Sequence, residues 1–311
     1  MIAERHEVAR QFQCMGGRFA VHVGGSSPSG TSPTVAAMLA EARLRALDRR
    51  LSRFDPGSEL SGLNDDPERV ASASDLLRRL ARAVVQAGAL SDGLVDATRL
   101  SDLENAGYAA SRAGISGLPL ADVLGGAPAA RPAGAHPDRP WRSIVIDDHA
   151  GTIERPPGVR IDSGGLGKGL AADVVGATLA RHATFAVDCA GDVRVGGGAG
   201  VPRTVLVEDP FGGDPIHELE LVDGAAATSG IGRRSWRANG GPPSHHLIDP
   251  ATGRPAWTGV VQATALAPTA LEAEILAKAA LLAGPQRGPG LLSLGGVLVL
   301  AGGAVEVVAP A

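Results

Sequence analysis

The order of short apolar runs along the chain constrains its fold more than any other feature. Strands are predicted where such runs are rich in β-branched and aromatic residues, at 18–24, 143–147, 152–155, 158–162, 184–195, 203–208, 216–222 and 259–267. Helices are predicted where apolar residues recur with helical spacing, at 34–52, 74–90, about 168–182 and 269–283. The last segment, VLVLAGGAVEVV, predicts a hairpin around Gly302 and Gly303. Runs of strands that a few helices interrupt predict an α+β fold with a mostly antiparallel sheet layered with helices.

The segments between these elements are predicted to be irregular. Residues 54–65 are interpreted as a polar loop, 107–141 as a long connection rich in glycine, proline and alanine, and 223–258 as loop-rich. The helix at 34–52 is expected to bury a face made of Val35, Met38, Leu39, Ala42 and Leu47. Because no internal repeat and no domain boundary is evident, residues 1–311 are expected to form a single domain.

The composition argues against several classes of protein. With 44% apolar and 20% charged residues the chain is typical of a globular protein, and its net charge of −4 with scattered arginines gives no footprint for nucleic acid. Cys14 and Cys189 form neither a disulfide framework nor a metal-binding spacing. The start, MIAERHEVARQFQC, lacks the apolar run of a signal peptide, and glycine pairs interrupt the apolar tract 288–305. We therefore expect a cytoplasmic protein without a nucleic-acid partner or a membrane segment of its own.

Only two of the 29 basic residues are lysines, Lys168 and Lys278, so each invites a specific role. Lys168 lies in SGGLGKG (163–169), between the predicted strand that ends in VRID and an Ala- and Val-rich helix. Glycines let a ligand approach the backbone closely, and a helix N-terminus attracts phosphate. The segment is not a P-loop, because Asp162 and Gly169 stand where that motif needs glycine and a hydroxyl. From these residues alone, a phosphate cradle and a tight packing turn both remain open.

Three further polar segments are candidates for a site. SHHLIDPATGRPA (244–256) carries His246 and Asp249 three residues apart, a spacing that suits a base and the acid that orients it. FDPGSELSGLND (54–65) and GLVDATRLSDLENAGY (93–108) add hydroxyl, amide and carboxylate groups. The structural alternatives are a surface turn at 244–256 and helix punctuation at 54–65.

In order and spacing, these segments resemble one family, the ApbE-type FAD:protein FMN transferases. The resemblance runs through CMGGRFAV, FDPGSELSGLN, GLVDATRLSDLENAGY, IDSGGLGKGLAAD, VDCAGDVRVGG, ATSG, HHLIDPATGRP and LEAEILAKAALLAG. These segments extend from residue 14 to residue 284 and cover nearly the whole chain. The resemblance implies an ApbE-like (T-fold-like) α+β architecture.

The resemblance also implies a reaction and a set of site residues. Members of the family bind FAD and transfer its FMN half to a threonine hydroxyl of an acceptor flavoprotein, with release of AMP. His246 would be the base that takes the proton from the attacking threonine, and Asp249 would orient it or support the site. The positions that match FAD-contacting residues of the family are Met15, Asn64, Asp96, Thr98, Asp162, Gly165, Lys168, Ser229 and Lys278.

The magnesium site that the family implies is altered in this sequence. Its ligands are a backbone carbonyl before the loop lysine and an aspartate and a threonine four residues apart on the late helix, and these positions are here Gly167, Glu274 and Lys278. Glutamate keeps a carboxylate, but an ammonium cannot coordinate magnesium. Three interpretations stay open. Lys278 replaces the metal beside the pyrophosphate, or it forms an i,i+4 pair with Glu274 on the helix surface, or Glu274 and water hold a shifted metal.

The altered ligands leave two alternatives to the transferase, an FAD pyrophosphatase that yields FMN and AMP, and a non-catalytic FAD-binding protein. The presence of His246 favours catalysis, because a protein that only binds FAD has little need of a base at that position. The expected partners are FAD and an acceptor flavoprotein with a target threonine.

Overall fold

The computed structural model describes residues 7–237 and 240–311. The α-helices of this part are α1 (Pro33–Leu51), α2 (Glu59–Asp65), α3 (Asp75–Leu90), α4 (Leu100–Asn105), α5 (Leu120–Gly125), α6 (Gly167–Leu179) and α7 (Ala270–Ala283), with 3-10 turns at Pro140–Ser143 and Pro289–Leu291. The strands are β1 (Glu7–Cys14), β2 (Gly17–Gly24), β3 (Val70–Ser72), β4 (Val145–Asp147), β5 (Thr152–Glu154), β6 (Thr184–Cys189), β7 (Val193–Gly196), β8 (Arg203–Val207), β9 (His217–Leu221), β10 (Gly224–Gly230), β11 (Ser235–Arg237), β12 (Pro243–His245), β13 (Ile248–Asp249), β14 (Arg254–Pro255), β15 (Val260–Ala267), β16 (Gly296–Leu300) and β17 (Val305–Val308). The four predicted helices and the final hairpin are confirmed, with small shifts at their ends.

An antiparallel sheet of eight strands forms the centre of the fold, in the order β1-β2-β6-β7-β10-β15-β16-β17. The edges are hairpins of consecutive strands, whereas β2 pairs with β6 and β10 inserts between β7 and β15. The sheet therefore takes strands from both ends of the described chain. The predicted α+β fold with a mostly antiparallel sheet is confirmed.

Three helices cover one face of the sheet. α1 packs on β1 and β2, α6 packs on β6 and β7, and α7 packs on β10 and β15. Small residues permit the close approach of α7 to β10, because Ala225 and Ala227 of β10 are buried in the same core as alanines of α7. α3 lies against α6 and α7 and adds a second helical layer. Within the described residues, no helix is both long enough and apolar enough to cross a membrane.

The hairpin of β8 and β9 covers part of the opposite face of the sheet. Its apolar side chains pack against residues of β6, β7, β10 and β16, in a cluster made of Ala186, Val195, Val207, Leu219, Leu221, Ala226 and Val297. The middle of the sheet is consequently buried on both faces.

The buried face of α1 differs from the predicted one. Of the five residues expected there only Leu47 is buried, and Val35, Met38 and Leu39 are exposed. The buried positions are Ala36, Ala37, Ala40, Leu44, Leu47 and Leu51. Alanine suits this face because the helix lies directly on β1 and β2, where space for larger side chains is limited.

Other differences concern short elements. β10 lies in a segment predicted to be irregular, because its sequence GAAATSG is poor in the residue types that favour strands. Residues 158–162 form no strand, and the loop predicted at 54–65 contains α2, whose N-cap Ser58 accepts from the N–H of Ser61 at 3.0 Å. The interpretation of this segment as helix punctuation is therefore correct for Ser58.

Candidate active site

Two adjoining cavities lie beside the loop that precedes α6. The larger cavity, of about 280 Å³, opens between the β1–β2 turn, the end of α1 and the start of α6. The smaller cavity, of about 80 Å³, lies between residues 94–99, the loop before α6, residues 246–248 and α7. The walls common to both cavities are Tyr108, Asp162, Gly164 and Arg234. Distant parts of the chain thus meet at one place.

The loop before α6 is anchored from behind. Asn64 of α2 uses both atoms of its side-chain amide on Ile161, where Nδ2 donates to the carbonyl at 2.9 Å and Oδ1 accepts from the N–H at 2.7 Å. The carboxylate of Asp162 lies 2.9 Å from Nε of the buried Arg53. Asn64 therefore positions the loop and lies outside both cavity linings.

The starts of α6 and α7 cap one another. Asp173 of α6 accepts from the N–H groups of Ala270 and Leu271 at 2.8 and 2.9 Å, and Glu274 of α7 accepts from the N–H of Gly169 at 2.9 Å. Carboxylates at these positions satisfy free N–H groups and interact favourably with the helix dipoles. Glycine is required at 169, since a Cβ there would lie 2.6 Å from the carbonyl oxygen of Ala270. At the N-terminus of α6, which was a candidate cradle for phosphate, the N–H of Gly169 is therefore already bonded to Glu274.

Both lysines of the chain converge on Glu274. Nζ of Lys278 lies 2.9 Å from Oε1 of Glu274, and Nζ of Lys168 lies 3.8 Å from the same oxygen. Lys168 also pairs with Asp192, which is itself buried. Lys278 is only 7% exposed and Glu274 is fully buried, so the interpretation of their pair as a feature of the helix surface is wrong.

The charges of this cluster stabilise one another. Burial raises the pKa of Asp192 to about 6, although Lys168 acts to lower it. Burial disfavours the ionised form of Glu274 as well, but the ammonium groups of Lys278 and Lys168 hold its pKa below the usual value. The pKa of Lys168 is raised, because Asp192 and Glu274 outweigh the effect of burial. Two ammonium groups and two carboxylates leave the cluster with no formal net charge.

His246 lines the smaller cavity together with Lys278 and Arg234. Its backbone N–H and its ring Nδ1 both lie 3.3 Å from the carbonyl oxygen of Arg234. This contact favours the tautomer that carries the proton on Nδ1 and leaves Nε2 free. Burial, and after it the charge of Arg234, lower the pKa of His246 well below its usual value. The imidazole is therefore neutral at pH 7 and able to accept a proton.

Asp249 does not orient His246. Its Oδ1 accepts from the N–H groups of Gly134 and Ala251 at 3.0 and 3.1 Å, and its Oδ2 accepts from the hydroxyl of Thr252 at 2.8 Å. The carboxylate thus closes the turn at 249–253 and ties it to residue 134. Of the two roles expected for Asp249, to orient the base or to support the site, these contacts favour support, and the carbonyl of Arg234 lies beside the imidazole.

The smaller cavity is a slot with mostly apolar walls, and Asp96 on its wall has a carboxylate oxygen that lacks a donor. Oδ1 of Asp96 accepts from the N–H and the hydroxyl of Thr98 at 2.9 and 2.6 Å, whereas Oδ2 is buried without a hydrogen-bond partner in the described structure. Such an oxygen is costly unless a ligand supplies a donor. The apolar walls are Leu94, Val95, Leu103, Leu247, Ile248 and Leu282. The slot suits a planar ring that carries an N–H group.

Met15 lies at the tip of the turn between β1 and β2, on the wall of the larger cavity. Met15 and Gly16 have φ values of 48° and 71°, and positive φ at both residues is what a two-residue type I′ hairpin requires. The N–H of Met15 donates to Asp48 at 3.0 Å. This left-handed backbone costs energy for a non-glycine residue, which is typical of functional positions.

The cavities bring together most of the predicted site residues, namely Met15, Asp96, Asp162, Gly165, Gly167, Lys168, His246 and Lys278. The predicted residues outside both linings are Asn64, Thr98, Ser229, Asp249 and Glu274. Thr98 holds Asp96 in place, and Glu274 lies behind Lys278. Ser229 is buried in β10, opposite Ala263 of β15.

The sequence interpretation missed Arg234, Arg53 and Asp192. Arg234 lines both cavities, and its guanidinium contacts the carbonyl oxygen of Met15 at 3.3 Å. Arginine is so common in this chain that neither Arg234 nor Arg53 gives a local signal. Asp192 lies 24 residues from Lys168, so their pairing depends on the fold. An acid inside the predicted strand 184–195, in the segment VDCAGDVRVGG, was the available sign of Asp192.

The residues at the expected metal position do not suit magnesium. Magnesium requires oxygen ligands in nearly octahedral geometry. Here Lys278 contributes an ammonium, and the two oxygens of Glu274 already accept from Lys278 and Gly169. Among the described residues, no group of three or more His, Cys, Asp and Glu side chains is arranged to hold a metal ion. The donor set therefore fits a charge cluster better than a shifted metal.

The family model of ApbE matches residues 15–300, which include every segment that lines the two cavities. The chain belongs to the ApbE family. Among curated members, the FAD:protein FMN transferase of Vibrio cholerae is 28% identical over 261 residues, which are 79% of this chain and 72% of that relative. The FAD:protein FMN transferase of Treponema pallidum is 32% identical over 149 residues, 43% of this chain. That alignment spans only 41% of the length of the Treponema protein.

Solved ApbE structures share the fold over nearly the whole chain. The ApbE protein of Thermotoga maritima superimposes with a TM-score of 0.77 at 27% identity, over 97% of both chains. The flavinyl transferase ApbE of Pseudomonas stutzeri, in its apo form, gives a TM-score of 0.73 at 22% identity, over 99% of this chain and 97% of that one. The ApbE-like α+β architecture that the resemblance implies is confirmed.

Proposed function

We propose that this ApbE-family protein is an FAD:protein FMN transferase, which moves FMN from FAD to a threonine hydroxyl of an acceptor flavoprotein and releases AMP. The observation that carries the proposal is the meeting of His246, Lys278 and the glycine-rich loop at one cavity. A neutral imidazole beside a positive charge is what the transfer of a phosphoryl group to a hydroxyl requires. The names of the relatives from Vibrio cholerae and Treponema pallidum support the same activity.

In the proposed reaction the threonine oxygen attacks the phosphorus of the FMN half. A bond forms from this oxygen to the phosphorus, the bond from the phosphorus to the bridging oxygen breaks, and AMP leaves with that oxygen. The threonine proton passes to Nε2 of His246, while Nδ1–H remains on the carbonyl of Arg234. Charge on the phosphate oxygens is stabilised by Lys278 and Arg234, two of the cationic side chains that line the smaller cavity.

FAD is the proposed substrate, bound across both cavities. The slot at Asp96 suits one planar ring, because its free carboxylate oxygen can accept from a ring N–H. The larger cavity, lined by Met15, Tyr108 and Arg112, suits the other ring. The diphosphate then lies between them, near Gly165, Lys168 and Arg234. No step is assigned to magnesium, because the donors at Glu274 and Lys278 do not suit that ion.

The remaining predicted residues are proposed to act indirectly. Asn64, Thr98 and Asp249 position other groups through the hydrogen bonds described above, and Gly167 opens α6. We also propose that residues 1–311 form one domain, since the central sheet takes strands from both ends of the chain. A cytoplasmic location is proposed because both cysteines are free and buried.

The test is incubation with FAD, with and without an apo-flavoprotein whose target threonine is still unmodified, followed by chromatography for AMP and FMN. A transferase releases AMP and leaves flavin on the acceptor after acid denaturation. Release of AMP and free FMN without any acceptor would indicate an FAD pyrophosphatase instead. No AMP under any condition, with or without magnesium, would contradict both activities and leave a protein that only binds FAD.

A further inference from the structure

We propose that Lys278 supplies, from the protein itself, the positive charge that a divalent cation would otherwise bring to the diphosphate of FAD. The enzyme would accordingly work without a divalent metal. This inference rests on the proposed function, but it concerns the source of charge at the site and not the identity of the products.

Lys278 reaches the smaller cavity from α7 and lies against the glycine-rich loop. A Cβ at Gly165 would lie 3.4 Å from Cε of Lys278, which is van der Waals contact, so the lysine stem runs along the loop at this residue. The Lys278 side chain keeps 9% exposure, whereas Glu274 keeps none. Lys278 therefore meets the cavity that also holds His246, and Glu274 lies behind it.

Glu274 holds the ammonium of Lys278 without exhausting its donors. An ammonium has three N–H groups, and Glu274 accepts from Lys278 through one oxygen at 2.9 Å. Glu274 is shared, because Gly169 donates to its other oxygen and the ammonium of Lys168 lies 3.8 Å away. Although the cluster as a whole is neutral, the ammonium of Lys278 keeps N–H donors that Glu274 does not use, and these are available to oxygens of a diphosphate.

The competing explanation is an ion pair that serves only the packing of α7. Such a pair would matter for stability, and its loss would weaken the binding of every ligand to the same small extent. A charge that contacts the diphosphate has a different effect, because its loss weakens the binding of ligands that carry a diphosphate and leaves the binding of other ligands unchanged. The position of Lys278 beside both the loop and His246 favours the second explanation.

The first experiment measures binding of ADP and of adenosine by calorimetry, in EDTA and in millimolar magnesium. The wild-type protein is expected to bind ADP equally well in both buffers. Lys278→Met is expected to weaken the binding of ADP by about 10- to 100-fold, as the loss of a hydrogen bond to a charged group implies. The binding of adenosine is expected to weaken by less than about 3-fold. The matched control is Arg79→Met, which removes an exposed i,i+4 pair with Asp75 on α3. This variant is expected to bind both ligands with unchanged affinity.

A second experiment converts the pair into ligands that magnesium can use. Lys278→Thr combined with Glu274→Asp provides a hydroxyl and a carboxylate four residues apart. In this double variant, ADP binding and AMP release are expected to be about 10-fold greater in magnesium than in EDTA. Thermal unfolding of each variant shows whether it is folded.

The outcomes separate this inference from the proposed function. If wild-type protein binds ADP or releases AMP only in magnesium, the inference is wrong and the proposed function stands. If Lys278→Met binds ADP as the wild type does, the inference is also wrong. Magnesium-independent ADP binding that Lys278→Met abolishes, without AMP release from FAD in any condition, supports the inference and overturns the proposed function. The wild-type comparison of EDTA with magnesium needs no variant, so it decides the metal question even where a variant fails to fold.

Discussion

Lys278 donates a hydrogen bond of 2.9 Å to Glu274, one helical turn earlier on α7, and both side chains are buried. The same carboxylate accepts from the N–H of Gly169, so one side chain joins the start of α6 to a lysine on the wall of the smaller cavity. Charge, helix packing and cavity shape therefore depend on each other at this point, and several predictions separate their contributions.

Replacement of His246 by alanine is expected to slow AMP release from FAD by about 10²- to 10⁴-fold, because a general base contributes roughly that factor. Affinity for FAD, measured by fluorescence, is expected to change by less than about 3-fold, since catalysis and not binding is affected. His149→Ala, at an exposed turn, serves as the control. Normal AMP release by the His246 variant would rule out its role as the base.

Replacement of Gly169 by alanine tests the contact between α6 and α7. The added Cβ would lie 2.6 Å from the carbonyl oxygen of Ala270, so we expect a loss of about 1–3 kcal/mol in the free energy of unfolding, measured with urea. Gly62→Ala in α2 is the matched control, because a Cβ there meets nothing within 4 Å. That control is expected to be neutral or to stabilise by up to about 1 kcal/mol. Equal effects of the two substitutions would contradict the close approach of α6 and α7.

Replacement of Asp249 by alanine leaves three donors without their acceptor, the N–H groups of Gly134 and Ala251 and the hydroxyl of Thr252. We expect a loss of about 1–3 kcal/mol in the free energy of unfolding. The pH profile of AMP release, recorded at a temperature where the variant is folded, is expected to keep its shape because His246 does not contact this carboxylate. A shifted profile with unchanged stability would instead indicate that Asp249 acts on the base.

Stability is expected to fall on the acid side because of His245. This residue is fully buried, and burial lowers its pKa from 6.5 to about 4. Between these values the unfolded chain binds a proton that the folded chain does not, so the free energy of unfolding rises with pH across this window. Above pH 6.5 His245 is neutral in both states and does not lower the free energy of unfolding. Near pH 5 the unfolded chain is protonated at this residue and the folded chain is not, so the free energy of unfolding is lower by about 2 kcal/mol.

Urea unfolding near pH 7.5 and near pH 5 measures this effect. His245→Asn keeps an acceptor for the N–H of Leu247 and removes the titrating ring, so its stability should depend less on pH. His246 acts in the same direction, which leaves part of the dependence in place. An unchanged dependence in the His245 variant would contradict the assignment.

Replacement of Asp96 by asparagine probes the carboxylate oxygen that lacks a donor. We expect FAD to bind about 10-fold more weakly, because the amide cannot accept where Oδ2 did. The free energy of unfolding is expected to stay the same or to rise, since a buried unsatisfied charge is removed and the bonds from Thr98 can persist. Unchanged FAD affinity would show that this oxygen faces no ligand donor.

The helices and most strands were predictable because their apolar spacing is regular, whereas β10 was not. Its alanines, serine and glycines are there to fit beneath α7, and that requirement belongs to the packed sheet and not to the strand. The outward position of Val35 and Met38 on α1 has a similar origin, because the helix presents its alanines to the sheet. Patterns of hydrophobicity predict well where helices and strands lie. They do not predict which face is buried where close packing requires alanine or glycine in place of larger apolar side chains.

The site was predictable where the resemblance named residues, and less so where roles depended on distant partners. Asp249 and His246 are close in sequence, yet the acid turns towards residue 134 and the base towards the carbonyl of Arg234. The burial of Glu274 and Lys278 had a signal that the sequence interpretation did not use. α7 is apolar on all sides, and a helix of that kind is enclosed together with any charges it carries.

The reciprocal capping of α6 and α7 by Asp173 and Glu274 limits how this protein can open. If either helix slid past the other, the half-buried carboxylate of Asp173 and the buried carboxylate of Glu274 would both lose their amide donors. The side of the cleft that bears Lys168 and Lys278 thus behaves as one rigid block. Entry of a long dinucleotide and departure of its products must take place across the facing side, where the irregular stretch at 108–113 contributes the wall.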